Sequence, residues 1–103
     1  MGHINWNDSA RTIDRLIRGM YPNPGTYTFF RGKRIKIHEA VLLESSSNDA
    51  PGKIFSLSDG MLHVKCSDGA IGLLMIQPEN HIKMSASDFI NGYKVTTDES
   101  FEY

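Results

Sequence analysis

Apolar side chains at Ala10, Ile13, Leu16, Ile17 and Met20 recur at spacings of three and four, which puts them on one face of a helix. Asp8 or Ser9 can cap its start, although no glutamate follows at the capping-box position. Gly19 and the Pro22-Asn23-Pro24-Gly25 run end it, since each proline disfavours helical geometry in the residue before it. The period then changes to two. Thr26 to Phe30 and Lys33 to Leu43 are rich in β-branched and aromatic residues, and Arg31-Gly32 between them predicts a hairpin. Ile35 and Ile37 share a face, whereas the apolar set then shifts to Ala40 and Leu42 on one side and Val41 and Leu43 on the other, which predicts a bulge or a bent strand. Glu44 to Asp49 reads as a polar loop closed by Pro51-Gly52.

Three further strands are expected at Lys53 to Leu57, Met61 to Cys66 and Ala70 to Gln77, separated by Ser58-Asp59-Gly60 and Ser67-Asp68-Gly69. In the middle one Leu62, Val64 and Cys66 form a buried face, and Met61, His63 and Lys65 a wet one. Ser85 to Asp88 resembles a capping box opening a short helix, with Gly92 as its stop, and the acidic run from Thr96 is expected to fray. The fold these elements predict is mainly β: a small OB-like antiparallel barrel of five or six strands, with a leading helix and a closing helical turn. Residues 1–7 read as a tag remnant and interdomain linker, 8–95 as the domain and 96–103 as an acidic tail.

Length and charge narrow the function. A chain of 103 residues holds one hydrophobic core, and no apolar run reaches the roughly 20 residues of a membrane span. No membrane partner is expected, and a single cysteine, Cys66, suits a reducing cytoplasm. The net charge of −1 hides an asymmetry. Up to Ile37 seven basic residues accompany two acidic ones, whereas from His38 onward four accompany ten. A basic first third attracts an anionic partner locally, while a pI near 6.4 denies the whole domain a broad positive field.

Catalytic chemistry is hard to find. Most acids, among them Asp49, Asp59, Asp68 and Glu79, fall in turns or polar loops, where turn chemistry explains them. The four histidines show no His-x-x-x-His pair, so no metal site is expected; His38 and His63 read as surface residues that a sheet can bring side by side. Cys66 aligns with the buried face and has no oriented base, and neither a phosphate-binding Gly-x-x-x-x-Gly-Lys-Ser/Thr loop nor a Gly-x-Gly-x-x-Gly turn is present. Tyr27, Phe29, Phe30 and Phe55 can stack on bases, with core packing the commoner fate of strand aromatics. The constellation above background is basic: Arg11, Arg15 and Arg18 form a stripe on the helix, Arg34 and Lys36 share a strand face, and Arg31 and Lys33 flank the hairpin turn. Together they are candidate phosphate contacts, set against a solvated face in which Asp14 pairs with Arg18 or Arg11.

The order of Ile4-Asn5-Trp6, Ser9-Ala10, Ile17-Arg18, Pro22-Asn23-Pro24-Gly25-Thr26, Lys36-Ile37, Ala40, Pro51-Gly52, Val64, Cys66, Asp68-Gly69, Gln77-Pro78 and Met84-Ser85-Ala86-x-Asp88-Phe89-Ile90-Asn91-Gly92 resembles the C-terminal domain of the formyltransferase family, the tRNA-formylating branch above all. The resemblance runs from about Ile4 to Tyr93. It implies an OB-like barrel that follows a catalytic domain, in which 10-formyltetrahydrofolate binds and the catalytic asparagine, histidine and aspartate lie. The family's His-x-Ser-Leu-Leu-Pro segment has no counterpart here, so neither catalytic residues nor a cofactor are expected in this domain, and its first partner is that N-terminal catalytic domain. In the tRNA-acting members the barrel helps hold tRNA through positive charge, which maps onto Arg11, Arg15, Arg18, Arg31, Lys33, Arg34 and Lys36. Two departures are Asn80-His81-Ile82-Lys83, where many members have Gly-Lys-Lys or Gly-Lys-Arg, and the acidic second half. The alternative reading is a structural or dimerisation module of a sugar-nucleotide N-formyltransferase.

Overall fold

A computed structural model describes residues 2–45 and 47–102. Helix α1 (Ala10–Met20) starts at Ser9, whose hydroxyl accepts from the Thr12 amide at 3.2 Å, and it ends where Tyr21 turns extended before Pro22. Its apolar stripe buries Ala10, Ile13 and Ile17. Strands β1 (Thr26–Phe30) and β2 (Lys33–Leu43) form the expected hairpin. The turn is made by Arg31 and Gly32 at positive φ.

Strands β3 (Ile54–Ser56), β4 (Leu62–Lys65), β5 (Ala70–Pro78) and β6 (Met84–Ser85) complete a six-stranded antiparallel sheet of order β1-β2-β5-β4-β3, with β6 also on β5. The sheet curls into a half-barrel around a core built from α1, the inward strand residues and Phe89 of helix α2 (Ala86–Tyr93). The change of apolar phase in β2 is real. Its register against β5 slips between Ile37 and Glu39 and again before Ala40. Strand β5 is apolar on both faces because Met61, Leu43 and Val41 cover it where Gly72 leaves room.

The chain ends are more integrated than the sequence suggests. Gly2 to Ile4 lie along β1, the Ile4 amide donating to Tyr27 O and the Tyr27 amide to Gly2 O, both at 2.9 Å. Residues 99–102 are not frayed: the Ile54 amide donates to Glu99 O at 2.9 Å, Phe101 N to Gly52 O at 2.7 Å and Glu102 N to Phe29 O at 2.8 Å. This segment runs along the open seam between β3 and β1 and satisfies edge groups of both. Phe101 fixes it by packing against Trp6 and Phe30. A buried relay joins the same three parts of the chain. Trp6 Nε1 donates to Thr28 Oγ1, and Thr28 Oγ1 donates to Glu102 O, each at 2.9 Å.

Two further expectations are corrected. Lys65 is buried, not wet, because its ammonium folds back to donate to Cys66 O at 2.6 Å and Gly69 O at 3.4 Å, so that carbonyls replace water. Gly92 does not stop α2. The helix continues to Tyr93, and Lys94 takes the left-handed cap at φ 52°, its amide donating to Ile90 O.

Candidate nucleic-acid interface

Alternation along the hairpin separates two faces. Thr26, Thr28, Phe30, Ile35 and Ile37 are buried, whereas Tyr27, Phe29, Arg34, Lys36 and His38 emerge on the outer side. The register places Tyr27 opposite Lys36, Phe29 opposite Arg34 and Lys36 opposite Gln77. His3, held beside β1, stacks on Tyr27 with centroids 5.0 Å apart and meets Phe29 edge-on at 5.3 Å. The Arg34 guanidinium carbon sits 3.9 Å from the Tyr27 ring centroid, a cation–π contact. Cations and aromatic rings therefore share one exposed sheet surface.

Helix α1 packs against β2 from the core side, through Ala10, Ile13 and Ile17, and meets the outer face only at its end, where Tyr21 reaches His38. Arg11 and Arg15 are exposed, and Arg18 is tied to Asp14 at 3.1 Å. A groove of about 340 Å³ lined by Arg18, Tyr21, His38 and Glu39 joins helix to strand. In it the Tyr21 and His38 rings meet edge-on at 6.1 Å, and His38 Nε2 lies 2.8 Å from Gln77 Oε1. Arg11 stands at the other end of α1, beside Leu42, Leu43, Glu44 and Asp68.

Arg31 is placed differently. Its Nε and one terminal nitrogen donate to the two Glu99 oxygens at 2.6 and 2.8 Å, and the other terminal nitrogen donates to Tyr93 O at 2.9 Å. Hydrogen bonding to Glu99 raises the arginine's pKa, and the same bond to Arg31 lowers that of Glu99. Arg31 thus anchors the seam segment. Lys33 borders an apolar cavity of about 150 Å³ between Phe30, Ile35, Phe89 and Tyr93. Arg11, Arg15, Lys33, Arg34 and Lys36 make no ion pair among the described residues.

The other candidates fall into ordinary roles. Phe30 is core, and Phe55 lies at the far side of the sheet against His63. His38 and His63 are not side by side, because β5 intervenes between β2 and β4; the His63 Nε2 is instead 3.0 Å from Ser58 O. Burial pushes the Cys66 thiol up to about 12, so it is neither a thiolate nor accessible. Among the described residues no three histidine, cysteine or acidic side chains converge as a metal would need, and no helix is long and apolar enough to cross a membrane. The stacking of Tyr27, Phe29 and His3 was hidden from sequence reasoning by the bias of strand aromatics toward the core, although the alternation through Thr26 and Thr28 already sets Tyr27 and Phe29 opposite Phe30.

The family model for the formyl transferase C-terminal domain matches residues 1–94. The chain belongs to that family. A methionyl-tRNA formyltransferase of Caldanaerobacter subterraneus subsp. tengcongensis is 40% identical over 95 residues, which cover 92% of this chain and 30% of that protein. One from Thermodesulfovibrio yellowstonii is 43% identical over 94 residues, 91% of this chain and 30% of the relative. The chain therefore spans about a third of the length of the curated relatives it matches. Among solved structures, HypX from Aquifex aeolicus superposes with a TM-score of 0.76 at 20% identity, over 95% of this chain and 18% of that one. At that identity the likeness is one of fold: a half-barrel of the same shape forms part of a larger protein.

Proposed function

We propose that this formyl transferase C-terminal domain positions tRNA for a catalytic domain that precedes it in a methionyl-tRNA formyltransferase-like parent. The formyl donor, 10-formyltetrahydrofolate, binds in that other domain, and the half-barrel alone transfers no formyl group. The observation that carries the reading is a set of exposed or half-exposed cations that make no ion pair among the described residues. Arg34 and Lys36 lie beside Tyr27 and Phe29 on the outer sheet face, and Arg11 and Arg15 lie on the helix packed across the same strand. Elsewhere the fold does pair arginine with acid, as Arg18 with Asp14 and Arg31 with Glu99. Arginine and lysine with no ion pair suit phosphates, which release counterions when neutralised.

Titration of formylatable initiator tRNA into the chain, followed by backbone amide NMR at low and physiological salt, tests this. Shifts are expected on residues 11–18 and 33–38, with affinity falling about 0.9 log units per log unit of salt for each duplex phosphate contacted. Removing Arg34 or Lys36 lowers that slope by about one contact. A folded sample with no shifts at low salt overturns the reading and leaves the structural or dimerisation module of a sugar-nucleotide N-formyltransferase as the better account.

A further inference from the structure

Beside the Arg34–Tyr27 stack lies a cleft of about 240 Å³ walled by Arg34, Lys36, Gln77, Pro78, Glu79 and Asn80. Its floor is built by a reciprocal pair. The Arg34 amide donates to Glu79 Oε1 at 2.7 Å, and the Glu79 amide donates to Arg34 O at 2.9 Å, which fixes the carboxylate against β2. Gln77 is committed elsewhere, its oxygen to His38 and its nitrogen to His81 O at 2.9 Å, so it is a wall and not a reader. Asn80 sits at φ 66° in the turn closed by His81 N donating to Pro78 O, exposed at the rim. Arg34 has the Tyr27 ring on one side and solvent on the other.

A planar π-surface next to a fixed carboxylate, an amide and an ammonium is the complement of one ligand class. A guanidinium plane stacks on a nucleobase, a carboxylate accepts from an exocyclic amine, and an ammonium meets a phosphate. We infer that this cleft takes a single unpaired RNA nucleotide: base against the Arg34 guanidinium, amine-bearing edge toward Glu79 and Asn80, phosphate toward Lys36. A base inside a duplex does not qualify, because both of its faces are stacked and its edge is paired. The inference rests on the tRNA-positioning reading and specifies which part of an RNA the outer sheet face engages.

The test uses the 103-residue chain with three probes: an oligocytidylate tetramer, an oligouridylate tetramer and a blunt RNA duplex, with binding followed by NMR of the Arg34 side-chain Nε–H and the Glu79 and Asn80 amides. The cytidylate tetramer is expected to shift all three signals and the duplex to leave them in place. Oligouridylate, lacking the amine, binds more weakly. Arg34→Lys keeps the charge and removes the plane, and is expected to weaken the tetramer about tenfold. Asn80→Gly, which removes the amide and suits the positive φ of this exposed turn, gives a second variant that keeps the backbone, and a smaller loss is expected from it. Wild-type tetramer affinity in R34K, or the same shifts from duplex and tetramer, overturns the inference. If tRNA still produces salt-dependent shifts on residues 11–18 and 33–38 in that case, the positioning reading stands alone. If tRNA also fails to bind, both fall together.

Discussion

Arg31 forms the hairpin turn and Arg34 follows it by three residues, yet the fold neutralises one and leaves the other over the half-buried Tyr27 ring. The difference follows from what each strand position faces: Arg31 turns toward the seam, where Glu99 waits, and Arg34 toward the outer sheet surface. Arg31→Met is therefore expected to cost stability and, under the tRNA-positioning proposal, to leave the salt dependence of RNA binding unchanged. The ion pair is partly exposed, so its own contribution is about 1 kcal/mol or less, to which the lost bond to Tyr93 O adds. Urea midpoints of R31M and R34A, read beside their binding slopes, separate the two roles. Glu99 carries a pH signature. Its folded-state pKa lies below the ordinary 4.5 because Arg31 hydrogen-bonds the carboxylate, so the unfolded chain takes up the proton first as pH falls. Its contribution is complete at neutral pH and is lost as the pH drops below about 4.5 through the folded value; Glu99→Gln should show a flatter stability profile between about pH 5 and pH 3 than the parent chain. Cys66 gives a third check. With its pKa pushed up to about 12 by burial, the thiol should resist iodoacetamide at pH 8 until urea unfolds the domain, and labelling in native buffer would contradict the buried placement.

At the scale of elements, α1, the hairpin and the β3 to β5 meander were legible because each is written in a local code: a period of three and four, a period of two, and Asp-Gly or Pro-Gly punctuation. Even the β2 bulge left its mark as a change of phase at Ala40. What was not legible depends on partners far along the chain. Nothing local tells that Phe101 packs on Trp6, that Glu99 meets Arg31, or that the Lys65 ammonium finds two carbonyls in the following turn. An acidic run holding Phe101 reads as a tail until the sheet edge it covers is known. The candidate interface was half legible for the same reason: sequence placed Arg34 and Lys36 on one face, but only the register set Tyr27 beside them and His3 over Tyr27. Gly52 tests the seam directly. At φ 92°, with Phe101 O 2.7 Å from where a Cβ would stand, Gly52→Ala meets backbone that cannot yield without breaking the Phe101 N–H to Gly52 O bond. A loss of more than about 1 kcal/mol is expected in thermal unfolding, which for a domain of this size lowers Tm by several degrees.

At the scale of the whole molecule, the candidate interface and the contacts that close the half-barrel occupy different sides. Arg34 and Lys36 on the outer face of β1 and β2, and Arg11 and Arg15 on α1, make no ion pair among the described residues, whereas the seam between β1 and β3 holds the pairs and relays that complete the half-barrel. The seam also brings the two extremities of the domain together. His3 pairs with Tyr27 and Glu102 with Phe29, two residues along the same strand, so the segments meet within about 7 Å of each other on β1. A polypeptide arranged in this way is topologically almost a ring. Joining residue 102 to residue 3 through a few glycines and opening the chain at the exposed Ser58–Gly60 turn should give a circular permutant that folds to the same amide spectrum, since no buried backbone would be cut.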